Sequence, residues 1–208
     1  MKTRFFLAAF MISLAACAYS ANGEAATEKL NTNILDDFYG LIVNIPANVI
    51  IEQGEHSTIR FEGSAKDLKH TSATIENGNL VISGTNSNPV TIYITIKEIN
   101  LIEVNGNSRL YSPTVINSDL LLLKVNGSGS IRLDVRSLSL GMLVKGSGKI
   151  IASGSTGTSY SRIYGIGKVI TSDLDSFESS EESNSGKQAY RLNIQKNSVL
   201  DVPANLCN

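Results

Sequence analysis

Aliphatic and polar residues alternate in short runs along most of the chain, and turn-forming residues separate the runs. In the first half the runs are Leu41–Ile45, Val49–Glu52, Thr58–Phe61, Thr74–Ile75, Leu80–Ile82 and Val90–Ile96. A period of two places successive side chains on opposite faces of a β-strand. Apart from one short turn at Asp67–His70, no segment follows the 3.6-residue period of a helix. The pattern predicts an all-β protein.

The second half of the chain repeats one seven-residue motif at nearly constant spacing. Positions 1 and 7 are aliphatic in every copy, and position 3 is glycine in the four clear copies. These are Val104–Leu110, Val125–Ile131, Val144–Ile150 and Ile163–Val169, and Ile194–Leu200 is a degenerate fifth copy. The turn glycines are Gly106, Gly127, Gly129, Gly146, Gly148, Gly165 and Gly167. Glycine at positions 3 and 5 allows positive φ and predicts a tight corner.

The spacing of the copies favours stacking of the repeat over independent hairpins. The first glycines are 21, 19 and 19 residues apart. One strand–turn–strand unit cannot bury its own apolar face, whereas stacked copies can, and this period suits one coil of a β-solenoid. Antiparallel hairpins that share a glycine turn are the alternative. We therefore predict coils of about 20 residues over 101–204, preceded by a less regular β-rich part over 34–100.

The order of these motifs resembles a known bacterial family. The features that carry the resemblance are Phe38 with the run Leu41–Pro46, Val49–Gly54, Asn77–Ile82 and the Val-x-Gly-Ser-Gly-x-Ile copies. Together they resemble the "putative auto-transporter adhesin, head GIN domain" family, a domain of unknown function in envelope proteins. The resemblance covers residues 34–204 and implies a single β-solenoid, a right-handed parallel β-helix. Two departures, Ile96–Glu98 in place of a proline-containing segment and an acidic insert, leave the coil boundaries open.

The N-terminus has the features of an export signal over residues 1–16. Lys2 and Arg4 precede the apolar run Phe5–Ala16, which is too short to span a bilayer. Leu14–Cys17 resembles the lipobox of bacterial lipoproteins, which predicts cleavage before Cys17 and lipidation of that residue. The alternative is an ordinary cut after Ala18. The small, polar residues 17–33 predict a flexible tether.

These signals predict that the protein is exported to the cell envelope. With Cys17 lipidated, the protein is an outer-membrane lipoprotein that faces the periplasm or the cell surface, and its first partner is the membrane that holds the lipid. With the alternative cut, it is a soluble periplasmic or secreted protein. Either cut leaves Cys207 without an intramolecular partner, so no disulfide is expected.

Composition and motifs argue against several classes of activity. The 208 residues carry 18 Lys and Arg against 19 Asp and Glu, which lacks the basic excess of a nucleic-acid binder. The Gly-x-Gly pairs lack the third glycine of a dinucleotide site and the Gly-Lys-Ser/Thr of a phosphate loop. His56 and His70 are too few and too far apart for a metal site and are expected at the surface or in turns. We expect no cofactor, no metal and no enzymatic activity.

Acidic residues give two weaker signals. Asp119 and Asp134 fall at different coil positions, so they need not meet as a catalytic pair. An acidic, serine-rich stretch contains Asp173, Asp175, Glu178, Glu181 and Glu182. We predict a solvated loop there, with a loose cation site as the alternative.

One column of the repeat is a candidate binding site. Position 6 holds Arg109, Lys149 and Lys168, and stacked coils would align them along one edge. Such a stripe could bind anionic glycans or lipid head groups, although charged turn residues are more often simply solvated. Tyr111 and Tyr164 lie near this edge in sequence, and tyrosine offers a face for sugars or interfaces. Asn105 and Asn126 at position 2 predict an amide ladder.

Three functions are compatible with these features. The first is a non-enzymatic, lipid-anchored adhesive or binding head with a glycan or cell-surface ligand. The second is a structural or signalling envelope component that assembles as a homo-oligomer through exposed solenoid ends. The third is a carbohydrate-active β-helix enzyme, which the lack of clustered carboxylates disfavours.

Overall fold

A computed structural model describes residues 27–29, 33–183 and 188–192, and the side chains of 33–183. Strands dominate the described chain, with one short helix, α1 (Ala65–Lys69). The strands are β1 (Thr27–Lys29), β2 (Asn33–Ile34), β3 (Gly40–Val43), β4 (Ala47–Gln53), β5 (Thr58–Ser64), β6 (Thr71–Glu76), β7 (Asn79–Gly84), β8 (Val90–Ile96), β9 (Leu101–Gly106), β10 (Arg109–Gly127), β11 (Ser130–Gly146), β12 (Lys149–Gly165), β13 (Lys168–Ser183) and β14 (Gln188–Leu192).

The repeats stack as parallel coils. Strands β10 to β13 are long because each continues around most of one coil, and each pairs in parallel with the next. Position 1 of the four clear copies lies in one register column: Val104, Val125, Val144 and Ile163. The structure therefore confirms a β-solenoid of about four turns and excludes separate hairpins. Its handedness stays a prediction.

Bulges account for the unequal coil lengths. Between the pairs Tyr111–Arg132 and Val115–Asp134, residues 112–114 of β10 lie opposite the single residue Leu133 of β11. This bulge adds two residues to the coil, which explains why the first glycine spacing is 21 residues and the later spacings are 19. It also contains Pro113, which has no backbone N–H to donate to a ladder.

The N-terminal part continues the solenoid and then closes it. Strand β3 pairs in parallel with β9, and β4 pairs in parallel with β10, so both sheets extend toward the N-terminus. Antiparallel strands follow: β6 pairs with β7, and β5 pairs with β8. At the other end β14 runs antiparallel to β13. Because antiparallel strands occupy these positions, another coil cannot add there in parallel register.

The structure refines two N-terminal expectations. Strand β1 lies within residues 17–33, the expected tether, and pairs antiparallel with β5, as β2 does. These short strands satisfy backbone groups at the outer edge of β5, so ordered structure begins before residue 34. The helical turn expected near Asp67–His70 is present as α1.

Asp67 joins α1 to the loop between β7 and β8. The carboxylate accepts hydrogen bonds from the Ser64 hydroxyl (2.6 Å), the Ser87 backbone N–H (3.0 Å) and the Asn88 side chain (3.1 Å). Ser64 also caps α1, because its Oγ accepts from the Asp67 N–H. The bonds from Ser64 and Asn88 lower the pKa of Asp67 to about 2, so this clamp is charged at neutral pH.

The interior changes from aliphatic to polar along the solenoid axis. In one inward column Leu123 and Met142 are buried, Ser161 follows, and the column ends at the exposed Glu181. Hydroxyl groups bond to one another in the later coils; Ser137 Oγ donates to Thr156 Oγ1 at 2.9 Å. Burial of aliphatic area is the main favourable term in folding, so the C-terminal coils are less strongly held than the first ones.

The acidic stretch is not a loop, and that prediction is wrong. Residues 173–183 belong to β13, which pairs in parallel with β12 from Ser153–Asp173 to Ile163–Ser183. Serines suit this coil because the interior beside it already holds Thr156, Ser159 and Ser161. Acidic side chains such as Asp175, Glu178 and Glu181 occupy exposed positions on the strand.

The two glycines of each turn serve different purposes. At position 3 the backbone has positive φ, as expected: Gly106, Gly127, Gly146 and Gly165. At position 5 the expected positive φ is absent, and the glycine is required by packing. A Cβ on Gly129 would lie 2.6 Å from the Ser108 carbonyl oxygen of the preceding coil. Ser108 fits position 5 in the first copy because its hydroxyl donates to the Ile45 carbonyl and accepts from the Ala47 N–H.

Several predicted features lie outside the described residues. These are the signal 1–16, Cys17, Cys207 and the fifth copy Ile194–Leu200. Among the residues that are described, no helix is long and apolar enough to cross a membrane.

Candidate functional site

The predicted stripe of cations forms along one edge of the solenoid. Strand pairing places Arg109, Ser130, Lys149 and Lys168 in one register column. With parallel strands ~4.8 Å apart, Lys149 lies beside Lys168, and Arg109 lies two coils from Lys149. All three cations are exposed, and within residues 33–183 none of them forms an ion pair. We call Arg109, Lys149 and Lys168 the basic edge.

Glycine turns give the basic edge a rigid base. In each turn, backbone N–H groups donate to a carbonyl of the preceding coil; Ser128 and Gly129 both donate to Gly106 O at 2.9 and 2.8 Å. Position 7 points into the core, so position 6 must point out. The basic edge borders an open groove of about 350 Å³ that the turn residues Ser128 and Ser147 also line.

A fourth cation, outside the repeated motif, lies on the same face. Arg132 follows position 6 by two residues on β11 and is exposed, with Tyr111 and Ile151 as its register neighbours. The period-two rule could have identified it, but the seven-residue motif ends one residue before Arg132. The outward column next to that of Arg132 contains two acids, Asp134 and Asp173.

The amide ladder is confirmed and is longer than predicted. Asn126 Nδ2 donates to Asn105 Oδ1 at 2.8 Å, and Asn105 Nδ2 donates to Asn44 Oδ1 at 2.6 Å. Asn44 was missed because β3 precedes the first glycine turn. The next residues in the column are Lys145 and Tyr164, so the ladder ends there.

The two tyrosines predicted near the basic edge lie on opposite sides of the turn. Tyr111 follows the turn and is exposed beside Arg132. Tyr164 precedes a turn and belongs to a different cluster on the outer face of β12. The structure therefore does not bring Tyr164 and Tyr111 together on one strand.

This second cluster consists of Tyr160, Arg162, Tyr164 and Glu182, and we call it the tyrosine platform. The Arg162 guanidinium lies 5.6 Å from the Tyr160 ring centre and 5.8 Å from the Tyr164 ring centre. Its Nε donates to Glu182 Oε2 at 2.8 Å, and the Tyr160 hydroxyl donates to the same oxygen at 3.1 Å. Sequence reasoning missed the platform because Glu182 was assigned to a loop.

Hydrogen bonding shifts the titration of the platform residues. The bonds from Arg162 and then Tyr160 lower the pKa of Glu182, which keeps the carboxylate charged. Desolvation, followed by the bond to Glu182, raises the pKa of Tyr160, so its hydroxyl stays protonated. Arg162 and Glu182 therefore form a neutral pair at physiological pH.

The remaining candidates do not form a catalytic cluster. Asp119 lines an open hollow of about 520 Å³ together with Glu98, whereas Asp134 lies in the register column of Val115. His56 and His70 are both exposed, as expected for surface or turn residues. In the described part of the chain, no three His, Cys, Asp or Glu side chains are grouped as metal ligands.

The architecture defines a β-solenoid domain, and its candidate binding residues lie on outer faces. A family profile described as "putative auto-transporter adhesin, head GIN domain" matches residues 37–198. The chain belongs to this family, which confirms the resemblance found in the sequence. No curated protein matches the chain.

Solved structures share the fold at low sequence identity. A "putative adhesin" from Bacteroides fragilis is 15% identical, with 77% of each chain covered and a TM-score of 0.72. A "putative lipid binding protein" from Parabacteroides distasonis is 17% identical, with 78% of this chain and 79% of that chain covered and a TM-score of 0.63. A "putative adhesin" from the same species is 15% identical, with 77% and 79% covered and a TM-score of 0.59. At this identity the likeness establishes the fold alone.

Proposed function

We propose that this protein is a non-enzymatic binding head of the cell envelope, anchored through Cys17, whose basic edge binds repeated anionic groups. The observation that carries the proposal is the in-register column of Arg109, Lys149 and Lys168, exposed and without ion pairs in the described residues. Membership of an adhesin-head family supports a role in attachment. We assign the protein no catalytic role, because Asp119 and Asp134, the candidate pair of acids, lie at different positions of the coil.

A fixed row of cations suits a ligand that carries its charges in a row. The backbone bonds of the turns hold the positions of the three Cα atoms, so little backbone freedom is lost when the ligand binds. The three long side chains can then contact sulfate, carboxylate or phosphate groups on a polysaccharide or a membrane surface. The attraction adds over the three cations and weakens with salt, because exposed charges are screened.

Charge reversal tests the basic edge. We expect the Lys149→Glu/Lys168→Glu variant to bind a sulfated polysaccharide such as heparin at least about tenfold more weakly, because two attractions become repulsions. Binding is measured by calorimetry at low and high salt. Lys66→Glu/Lys69→Glu on α1 is the matched control, since it makes the same charge change at exposed positions of another element.

Two ligand sources are separated by the same variants. Heparin represents an anionic polysaccharide, and vesicles that contain phosphatidylglycerol represent lipid head groups. If the Lys149→Glu/Lys168→Glu variant loses binding to just one of the two probes, that probe identifies the ligand as a polysaccharide or a lipid head group. Equal weakening by the α1 control would mean that net charge, rather than the basic edge, governs binding and would refute the proposal.

The anchor is tested by replacing its attachment atom. In bacteria expressing the full chain, Cys17→Ser is expected to accumulate as unprocessed precursor and to lose labelling by a radioactive fatty acid. Cys207→Ser is the matched control and should be processed and labelled normally. Normal cleavage of Cys17→Ser would instead support the cut after Ala18 and a soluble protein.

A further inference from the structure

We propose that the tyrosine platform is a second binding site, independent of the basic edge, for a neutral β-linked saccharide chain. Tyr160, Arg162 and Tyr164 alternate along one strand, so all three point away from the core. Tyr160 and Tyr164 are 39% and 41% exposed, whereas their neighbours Ser161 and Ile163 point inward. Two aromatic rings with a hydrogen-bonding group between them form an amphipathic surface.

The platform is held in place before any ligand arrives. Arg162 lies between the rings and donates to Glu182, while Tyr160 donates to the same carboxylate oxygen. These contacts restrict side chains that would otherwise lose rotamer entropy on binding. A saccharide can therefore stack on rings that are already oriented.

Charge selects a neutral ligand for the platform. The Arg162 guanidinium and the Glu182 carboxylate cancel, so the platform differs from the basic edge in carrying no net charge. A neutral sugar provides hydroxyl groups that both donate and accept, which matches a guanidinium and a carboxylate presented side by side. An anionic sugar would gain no net attraction from this pair.

The spacing of the rings favours an extended chain. Tyr164 follows Tyr160 by four positions, so their Cα atoms are ~13 Å apart along the strand at ~3.3 Å per residue. The ring centres are closer than this, because they lie 5.6 and 5.8 Å from the same Arg162 guanidinium. A single sugar cannot cover both rings. β-Linked pyranoses form flat ribbons with C–H groups on their faces, and such a ribbon can contact both rings. On the preceding coil, Gly141 and Leu143 lie beside Tyr160 and Arg162, and Lys145 lies beside Tyr164 at one end of the platform.

Neutral hexasaccharides provide the test with the mature full chain. We expect the native protein to bind cellohexaose or chitohexaose, which are β-linked, in preference to the α-linked maltohexaose. Tyr160→Ala/Tyr164→Ala should weaken this binding at least about tenfold. Binding should be nearly the same at ~0.1 and ~0.5 M NaCl, because the complex contains no net charge pairing. Calorimetry measures each affinity.

Three control variants test whether the loss of binding is due to stacking on the platform. They address misfolding, a general effect of surface tyrosines, and binding at the basic edge. Tyr160→Phe/Tyr164→Phe keeps both rings and should retain most of the affinity. Tyr39→Ala removes an exposed tyrosine elsewhere and should bind as the native protein does. Lys149→Glu/Lys168→Glu should also bind normally. No binding to any hexasaccharide, or equal losses in the Tyr39 variant, would overturn the inference and leave the basic-edge test unaffected.

Discussion

Gly148→Ala is expected to lower the free energy of unfolding by about 3 kcal/mol, because the coils have no room for a methyl group at this position. The new Cβ would lie 2.4 Å from Val125 Cγ1 and 2.7 Å from the Gly129 carbonyl oxygen. The second contact is to backbone, so relief requires the coils to separate and their ladder bonds to lengthen. Urea unfolding followed by circular dichroism measures the change.

Gly106→Ala is the matched control for that variant. A Cβ on Gly106 meets nothing within 4 Å, but the residue has φ of +82°. Alanine there incurs only the cost of the left-handed conformation, about 1–2 kcal/mol. Equal destabilisation by the two variants would show that backbone conformation, rather than the spacing of the coils, explains the second glycine of the turn.

Leu123→Ala is expected to cost about 2–5 kcal/mol of stability, the range for removing a buried leucine side chain. Leu123 is fully buried and lies between Ile102 and Met142 in its register column. The neighbouring coils are fixed by continuous backbone ladders, so the cavity can collapse only in part. The same urea titration measures the loss.

Leu138→Ala provides the comparison at the surface. Leu138 is 68% exposed at a corner of β11, so its truncation should change stability by about 0.5 kcal/mol or less. A loss at Leu138 as large as that at Leu123 would contradict the assignment of the aliphatic columns as the core.

The sequence predicted the features that local periodicity determines. Every strand candidate of the first half is a strand, and the spacing of the glycines gave the register that aligns Arg109, Lys149 and Lys168. The family was also recognised from these motifs. Local alternation and turn chemistry suffice here because each coil contacts only its neighbours.

Features that depend on the adjacent coil could not be predicted in the same way. Residues 173–183 look like a loop because they lack an aliphatic face, but the polar interior beside β12 accepts their serines. Arg162 donates a hydrogen bond to Glu182, which follows it by 20 residues, and no local sequence pattern predicts a contact over that separation. The role of Gly129 was misassigned because a contact with the carbonyl of Ser108 becomes visible only when two coils are stacked.

The decline in aliphatic filling along the axis also sets an order of folding. The first coils contain Ile102, Leu123 and Met142, and the corresponding position of the later coils holds Ser161 and then Glu181. The well-filled coils also come first in the chain, so we expect them to fold before the polar coils. Their exposed strand edges then provide a template on which the polar coils add one at a time. Assembly in this direction requires no late, long-range search, because each new coil pairs with the one just completed.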